Sequence, residues 1–426
     1  MADIQLNSVT LATESSGTVV LDSAVTGIPG AGVTGTLPNA VQDNITRLGT
    51  VTTDLTLTGD LVPSTPLSYR NMIINGAFQM WQRSDSTSME TVANNNLKAD
   101  RFKLNSDIQA SDLTCGRSID VPAGQGFTNS MKVVPGGADT SQAAGHIATI
   151  VQFIEAQNLQ HLCYGTSNAK SLTLSFWVKT NLAGSHSVSL VKDDSTAYAC
   201  PIEYTVSAAN TWEKKEITFS PTAGSTSLIT ASGGAITNDN GRGLAVCWNL
   251  AAGSTYRGTN NTWQAGPASG YGLGTSNIQN FVGSTSNDFF LTGVQLELGS
   301  NATPFEHRSY GDELARCQRY CYATNSETAG AGRTSNTNGV HVTYYIPASM
   351  RAVPTFNLAP GQSAQNYRTL THSAQTGSTN HSSVNVYGST GAMVGIFLEL
   401  TGSGYWTDAR TCTVQFREGF MFTAEL

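Results

Sequence analysis

Glycoside hydrolysis needs two carboxyl groups about 5–10 Å apart, and the adjacent Asp193 and Asp194 are the one such pair in the middle of this chain. They follow the alternating Val188 and Leu190 and precede Ser195 and Thr196, which is the setting of a hairpin turn. Cys317 and Cys321 stand four apart and could share a metal. No second Cys/His pair stands at zinc-site spacing, so both are expected to pack on a helix face. The seven histidines form no HExxH or His-x-His pattern, and there is no Gly-x-Ser-x-Gly elbow or phosphate-binding loop. No catalytic residue, metal ligand set or cofactor is therefore expected. A structural calcium would be held through backbone carbonyls, which leave no signature in a sequence.

The chain does offer aromatic rings in polar surroundings. A saccharide is held by an aromatic ring stacked on a pyranose face, flanked by amide or carboxylate hydrogen-bonders. Tyr256, Trp263 and Tyr271 meet that description in the Gly/Asn/Thr-rich stretch 251–280, between strands at Val246-Cys247-Trp248 and Phe289-Phe290-Leu291. Packing beneath a long loop, or against a neighbouring subunit, is the competing use of these rings. Tyr405 and Trp406, beside Gly402 and Gly404, form a second candidate pair near the C-terminal end. Trp81 and Trp177 belong to recognisable strands and are expected in the core.

Strands must position these rings. Charged residues make up 12% of the chain against roughly 25% in an average soluble protein, 39% are hydrophobic, and there are 42 glycines. Hydroxyl and amide side chains fill the gap, which suits short strands joined by tight turns and argues against a helical enzyme. A net charge of −7 with 23 Lys+Arg provides no basic field for nucleic acid. Recurring Leu, Ile, Val, Phe and Trp argue against disorder. No run approaches the ~20 apolar residues of a membrane span, and Met1-Ala2-Asp3-Ile4-Gln5 lacks a basic n-region and an apolar core. Neither membrane insertion nor a secretion signal is expected. The seven cysteines are scattered and odd in number, and are expected to be mostly reduced.

At ~100–200 residues per domain, 426 residues predict two or three units. Residues 1–65 have few aromatics and no alternation long enough to bury a core. Val41, Ile45 and Leu48 fall at i, i+4 and i+7 on one helical face, and Gly49 follows where a helix would stop. Two turns are unstable alone, but three copies sharing that stripe would bury it, so these residues are the expected interface of a homotrimer. A floppy leader is the alternative. From residue 66 strands dominate: Leu172, Leu174, Phe176 and Val178 alternate, as do Ile217 and Phe219, and Val294, Leu296 and Leu298. They predict an antiparallel sandwich over 66–308, in which Gly145 to Gln157 could be helix or strand. One helix is clear. Ser309 and Asp312 have capping-box spacing, and Tyr310, Leu314, Cys317 and Cys321 make an apolar stripe that would dock one domain on the next. Residues 309–426 add this connector and a smaller β-sandwich. The expected fold is all-β: an N-terminal extended and short-helical trimerisation stalk, a central antiparallel sandwich and a smaller C-terminal one.

The stretch Asn71-Met72-Ile73-Ile74-Asn75-Gly76-Ala77-Phe78-Gln79-Met80-Trp81-Gln82-Arg83 resembles the opening of a domain common in bacteriophage tail fibre and related virion proteins. Ala99-Asp100-Arg101-Phe102, Leu174 to Lys179, Thr211 to Lys215, and Thr292 to Gly299 running into Thr303 to Tyr310 fit the same pattern in the same order. Phe102 stands where that family more often has Trp. Cys317 to Tyr320 and Ser349 to Thr355 resemble the C-terminal portion of the same proteins. The resemblance implies a jelly roll similar to carbohydrate-binding modules, carried on a virion fibre assembled in the host cytoplasm. It implies attachment of residues 1–65 to tail or baseplate proteins, and attachment of the virion to a host surface glycan. No coil repeat of the parallel β-helix typical of phage depolymerases is present, so no enzyme is expected. The alternative is a purely structural collar or head fibre, spacer or adaptor with no receptor site.

Overall fold

The computed structural model describes residues 3–6, 9–15, 18–21 and 69–426, apart from 84–88, 93–95, 98, 108–112, 267–271, 325–327, 337–338, 359–366, 372–373, 376–382, 388–394, 402–410 and 417–418. Contacts divide the chain into Met1–Val62 and Pro63–Leu426. In the first unit, Asp3–Leu6, Val9–Ser15 and Thr18–Leu21 form a three-stranded antiparallel meander. Val41, Ile45 and Leu48 lie outside the described residues, and so do Tyr271, Tyr405 and Trp406.

The second unit is built around two antiparallel sheets facing one another. One has six strands in the order Glu213–Phe219, Leu172–Thr180, Phe289–Leu298, Ser130–Pro135, Leu113–Ser118 and Glu90–Val92. The other has seven: Gln264–Ala265, Tyr198–Val206, Gly184–Lys192, Arg242–Ala252, Ile147–Glu155, Lys103–Ser106 and Asn96–Leu97. Successive long strands pass back and forth between the sheets, as in a jelly roll. The alternation seen in the sequence sets the core, because residues two apart share a face. Leu172, Leu174, Phe176 and Val178 point inward from one sheet to meet Val188, Leu190, Val246 and Trp248 from the other, all fully buried. Phe176 meets Trp248 edge to face, with ring centroids 5.7 Å apart. Trp81 is 6% exposed and belongs to this core.

The ambiguous 145–157 stretch is a strand, Ile147–Glu155, leading into the 3-10 turn Ala156–Leu162. Its β-branched residues favour extension. It lies between two neighbours in the seven-stranded sheet with every residue buried, so it lacks the polar face of a surface helix.

The helix runs Tyr310–Gln318, and Ser309 caps it by accepting from the Asp312 amide at 3.2 Å. Its docking face differs from the apolar stripe expected. Tyr310 is 64% exposed, Cys321 lies beyond the helix in a strand, and the buried residues are Cys317 and Glu313. After it come a three-stranded sheet, Cys321–Ala323, Phe420–Thr423 and Thr355–Leu358, and a seven-stranded sheet made from residues 328–416. The chain end then returns to the sandwich, where Arg351 donates to the Asn240 carbonyl at 2.9 Å and to the Ala424 carbonyl at 2.8 Å.

Candidate functional site

Three of the stretches that carry the resemblance, 71–83, 99–102 and 292–310, converge on one buried polar junction. Asn71 is 4% exposed. Its carboxamide oxygen accepts from the amides of Ile73 (2.9 Å) and Leu296 (3.1 Å), and its Nδ2 donates to the Val294 carbonyl (3.0 Å). Asn75 closes the next turn, donating to the carbonyls of Met80 (2.9 Å) and Asp100 (3.0 Å). Gly76 passes so close to the Phe289–Leu298 strand that a Cβ there would stand 2.1 Å from the Val294 carbonyl oxygen. From that strand, Glu297 accepts from the Thr303 amide (2.8 Å) and hydroxyl (2.6 Å), while Gln295 accepts from the Glu306 amide (2.8 Å). Arg308 donates to the carbonyls of Asn71 and Ile73, and Glu313 accepts from the Asn75 amide. Apart from the Arg308 Nε, which is buried without a partner, these groups are bonded to one another, so the junction fastens the fold.

An ionic cluster extends the fastening to the chain end. Arg83 bridges Asp100 (3.2 Å) and Glu425 (2.6 Å), and Arg101 pairs with Glu425 while lying 3.4 Å from the Tyr320 ring centroid. Burial alone would raise the Glu425 carboxyl, but Arg101 and Arg83 outweigh it and hold it below the usual range. Asp100 is raised because its burial outweighs the pull of Arg83.

The sequence candidates fall on different surfaces. On the outer face of the seven-stranded sheet, Val151, Phe153, Val191, Ala199, Ala245, Cys247 and Leu273 pack together, with Tyr256 and Leu426 against them. Trp263 lies on the other side of that sheet, 1% exposed in the sandwich core, and its indole N–H donates to the Ser220 carbonyl at 2.8 Å. Tyr256 and Trp263 therefore do not form one platform, and Trp263 is covered on both faces. Asp193 and Asp194 sit in the hairpin between Gly184–Lys192 and Tyr198–Val206. Asp194 accepts from the Thr237 hydroxyl at 2.7 Å, and Asp193 pairs with Arg242 at 3.5 Å.

The open aromatic surface lies on the outer face of the six-stranded sheet, and it is built on Trp177, which the sequence reading placed in the core. Phe176 and Val178 point inward, so Trp177, one position out of phase, points outward between Lys214 and Thr292 on the neighbouring strands. The register shifts between Ser175 and Trp177, opposite Gly293, whose φ is +61°. A left-handed glycine at such an irregularity marks a bulge, a feature that re-aims side chains. A Cβ on Gly293 would stand 2.6 Å from Phe127 Cζ and 2.9 Å from Trp177 Cδ1. Only glycine lets those two rings close over the strand. Phe127 also packs against Phe305 (ring centroids 5.1 Å) and His307 (5.4 Å), which are 4.9 Å from each other.

These rings, with Gln125, Ser175, Lys214 and Thr303, line a cleft of about 500 Å³, within the range of small-ligand sites. Ser175 is 3% exposed, and the Lys214 ammonium pairs with Glu216 at 2.7 Å. None of the described residues lining the cleft is Asp or Glu. A smaller cavity of about 210 Å³ lies between Tyr69–Met72, the Ile147–Glu155 strand and the helix. Its Gln152 and Glu297 are already bonded to Ile74 and Thr303.

No family model and no curated protein sequence matches the chain. Among solved structures it is similar to the enzymatically active domain of tailspike protein 4 from bacteriophage CBA120, at 14% identity over 54% of this chain and 22% of that one, with a TM-score of 0.27. It is similar to a family 11 carbohydrate-binding module from Clostridium thermocellum in complex with a β-1,3-1,4-mixed-linked tetrasaccharide, at 12% identity over 52% of this chain and all of that one (100%), TM-score 0.24. A Clostridium thermocellum endo-1,4-β-D-xylanase complexed with xylohexaose matches at 12% identity over 52% of this chain and 30% of its own, TM-score 0.24.

Proposed function

We propose that this chain is a virion fibre protein, and that its sandwich attaches to a saccharide on the host surface through the cleft at Trp177. The observation that carries the reading is a half-exposed Trp177 on the outer face of the six-stranded sheet, lining a cleft with Phe127, Phe305 and His307. A pyranose ring would stack its apolar face on the indole, with the Gln125 amide and the Lys214 ammonium lining the same cleft for its hydroxyls. Binding without cleavage is the reading, since hydrolysis of a glycosidic bond calls for a pair of carboxyl groups at the site and none of the described residues lining the cleft is Asp or Glu.

A single shallow site of this kind is weak. A homotrimer held through Val41, Ile45 and Leu48 would present three sites at once and gain avidity without any new contact. The virion setting, with residues 1–65 as the stalk on tail or baseplate proteins, rests on the resemblance of the Asn71 to Arg83 stretch and its companions to phage fibre proteins. A glycan array probed with the full chain and with Trp177→Ala tests the reading. Binding to a defined subset of saccharides, lost in the variant, is expected. Failure of the full chain to bind any saccharide, or equal binding by the variant, would leave a structural virion component instead.

A further inference from the structure

The outer face of the six-stranded sheet does not end at the cleft. Lys179 follows Trp177 by two residues on the same strand, so it shares that face about 7 Å further on. It stands opposite Phe290, which on its other side stands opposite Lys132. Both ammonium groups converge on that one ring, Lys179 Nζ at 4.6 Å and Lys132 Nζ at 5.1 Å from its centroid. Trp212 closes the row, with its ring 6.2 Å from Phe290 and 5.8 Å from Lys179 Nζ.

The charges in this row do not balance. Asp120 accepts from the Trp212 indole at 2.9 Å and pairs with Lys179. Burial would raise its carboxyl, but the bonds from Lys179 and Trp212, with the charges of Lys179 and, more weakly, Lys132, hold it below the usual range, so it is already committed. Lys132 forms no ion pair with a described residue. Two like charges drawn onto one ring with a single carboxylate between them leave a positive excess, in a chain whose net charge is −7. The excess sits beside an indole face, in line with the cleft.

Resting on the glycan reading above, we propose that Trp212, Lys179 and Lys132 form a second subsite that takes an acidic sugar, so that the ligand is a uronate-bearing polysaccharide running from the Trp177 cleft across this row. The Trp212 ring supports the sugar, and the Lys132 ammonium takes its carboxylate.

Isothermal titration of the full chain with a polyuronate oligosaccharide, and with the same oligosaccharide after reduction of its carboxyls to alcohols, tests this. The acidic form should bind about tenfold more tightly at low salt, and the advantage should shrink at high salt as exposed charges are screened. Lys132→Gln should remove most of that advantage while weakening the reduced form far less, since that form has no carboxylate for the ammonium to take. If both forms bind alike and Trp177→Ala abolishes both, the acidic subsite is wrong and the glycan reading stands. If neither form binds the wild-type chain, the acidic subsite is overturned here, and the glycan array decides the broader reading separately.

Discussion

The two sheets treat their outer faces differently. The seven-stranded sheet buries Val151, Phe153, Ala245 and Cys247 beneath Leu273, Tyr256 and the C-terminal Leu426. The six-stranded sheet holds Gln295 and Glu297 in bonds to the returning 303–306 segment, then leaves Trp177 and its neighbours open beside it. An aromatic residue under a loop is stabilised by the fold around it, whereas one half-exposed on a strand face gains less from folding and keeps part of its ring available to a ligand. Residue type is the same in both places; what covers the ring decides its role.

Substitutions can break this contrast. The largest loss is expected between the sheets: Trp263→Ala should cost about 3–5 kcal/mol in denaturant unfolding, since it empties a core site. Glu425→Gln should cost about 3 kcal/mol, because Arg83 and Arg101 would keep their charges without the shared carboxylate. That carboxyl is depressed in the folded chain, so its contribution is complete above the unfolded value of about 4.3 and is lost as pH falls through the lower folded value. Glu155 and Glu306 are also depressed and act in the same direction, while the raised Asp100 opposes them. The melting temperature should therefore fall from about pH 4 downward, with a smaller fall in Glu425→Gln. Gly293→Ala should cost about 1–3 kcal/mol by crowding Phe127 and Trp177 at a positive φ. Trp177→Ala should change stability least, within about 1 kcal/mol, while weakening saccharide binding at least about tenfold.

The sheets were legible in the sequence wherever alternation was strict. Leu172 to Val178 and Val294 to Leu298 settled their inward faces, and the Ser309 cap marked the helix start. The same alternation contained the sign of the cleft, since Trp177 falls out of phase with Phe176 and Val178. Membership of a recognisable strand was a weaker guide to its burial than its parity. For Trp263 the competing use holds, packing in the fold: a polar Gly/Asn/Thr-rich loop suggests exposure, yet its indole donates to the Ser220 carbonyl within the sandwich core. Contacts between residues far apart left no local pattern. Glu313 bonding Asn75 and Glu425 bridging Arg83 to Arg101 span most of the chain, and a polar residue on a helix looks solvent-facing until its partner arrives.

The contrast between covered and open rings can be observed directly in the indole N–H signals of the six tryptophans, followed by NMR during titration with a saccharide that the full chain binds. The Trp177 signal is predicted to shift with saturation while those of Trp263 and Trp248 stay in place. Saturable binding that leaves Trp177 unmoved, or that moves Trp263 instead, would contradict the assignment of the cleft as the binding site.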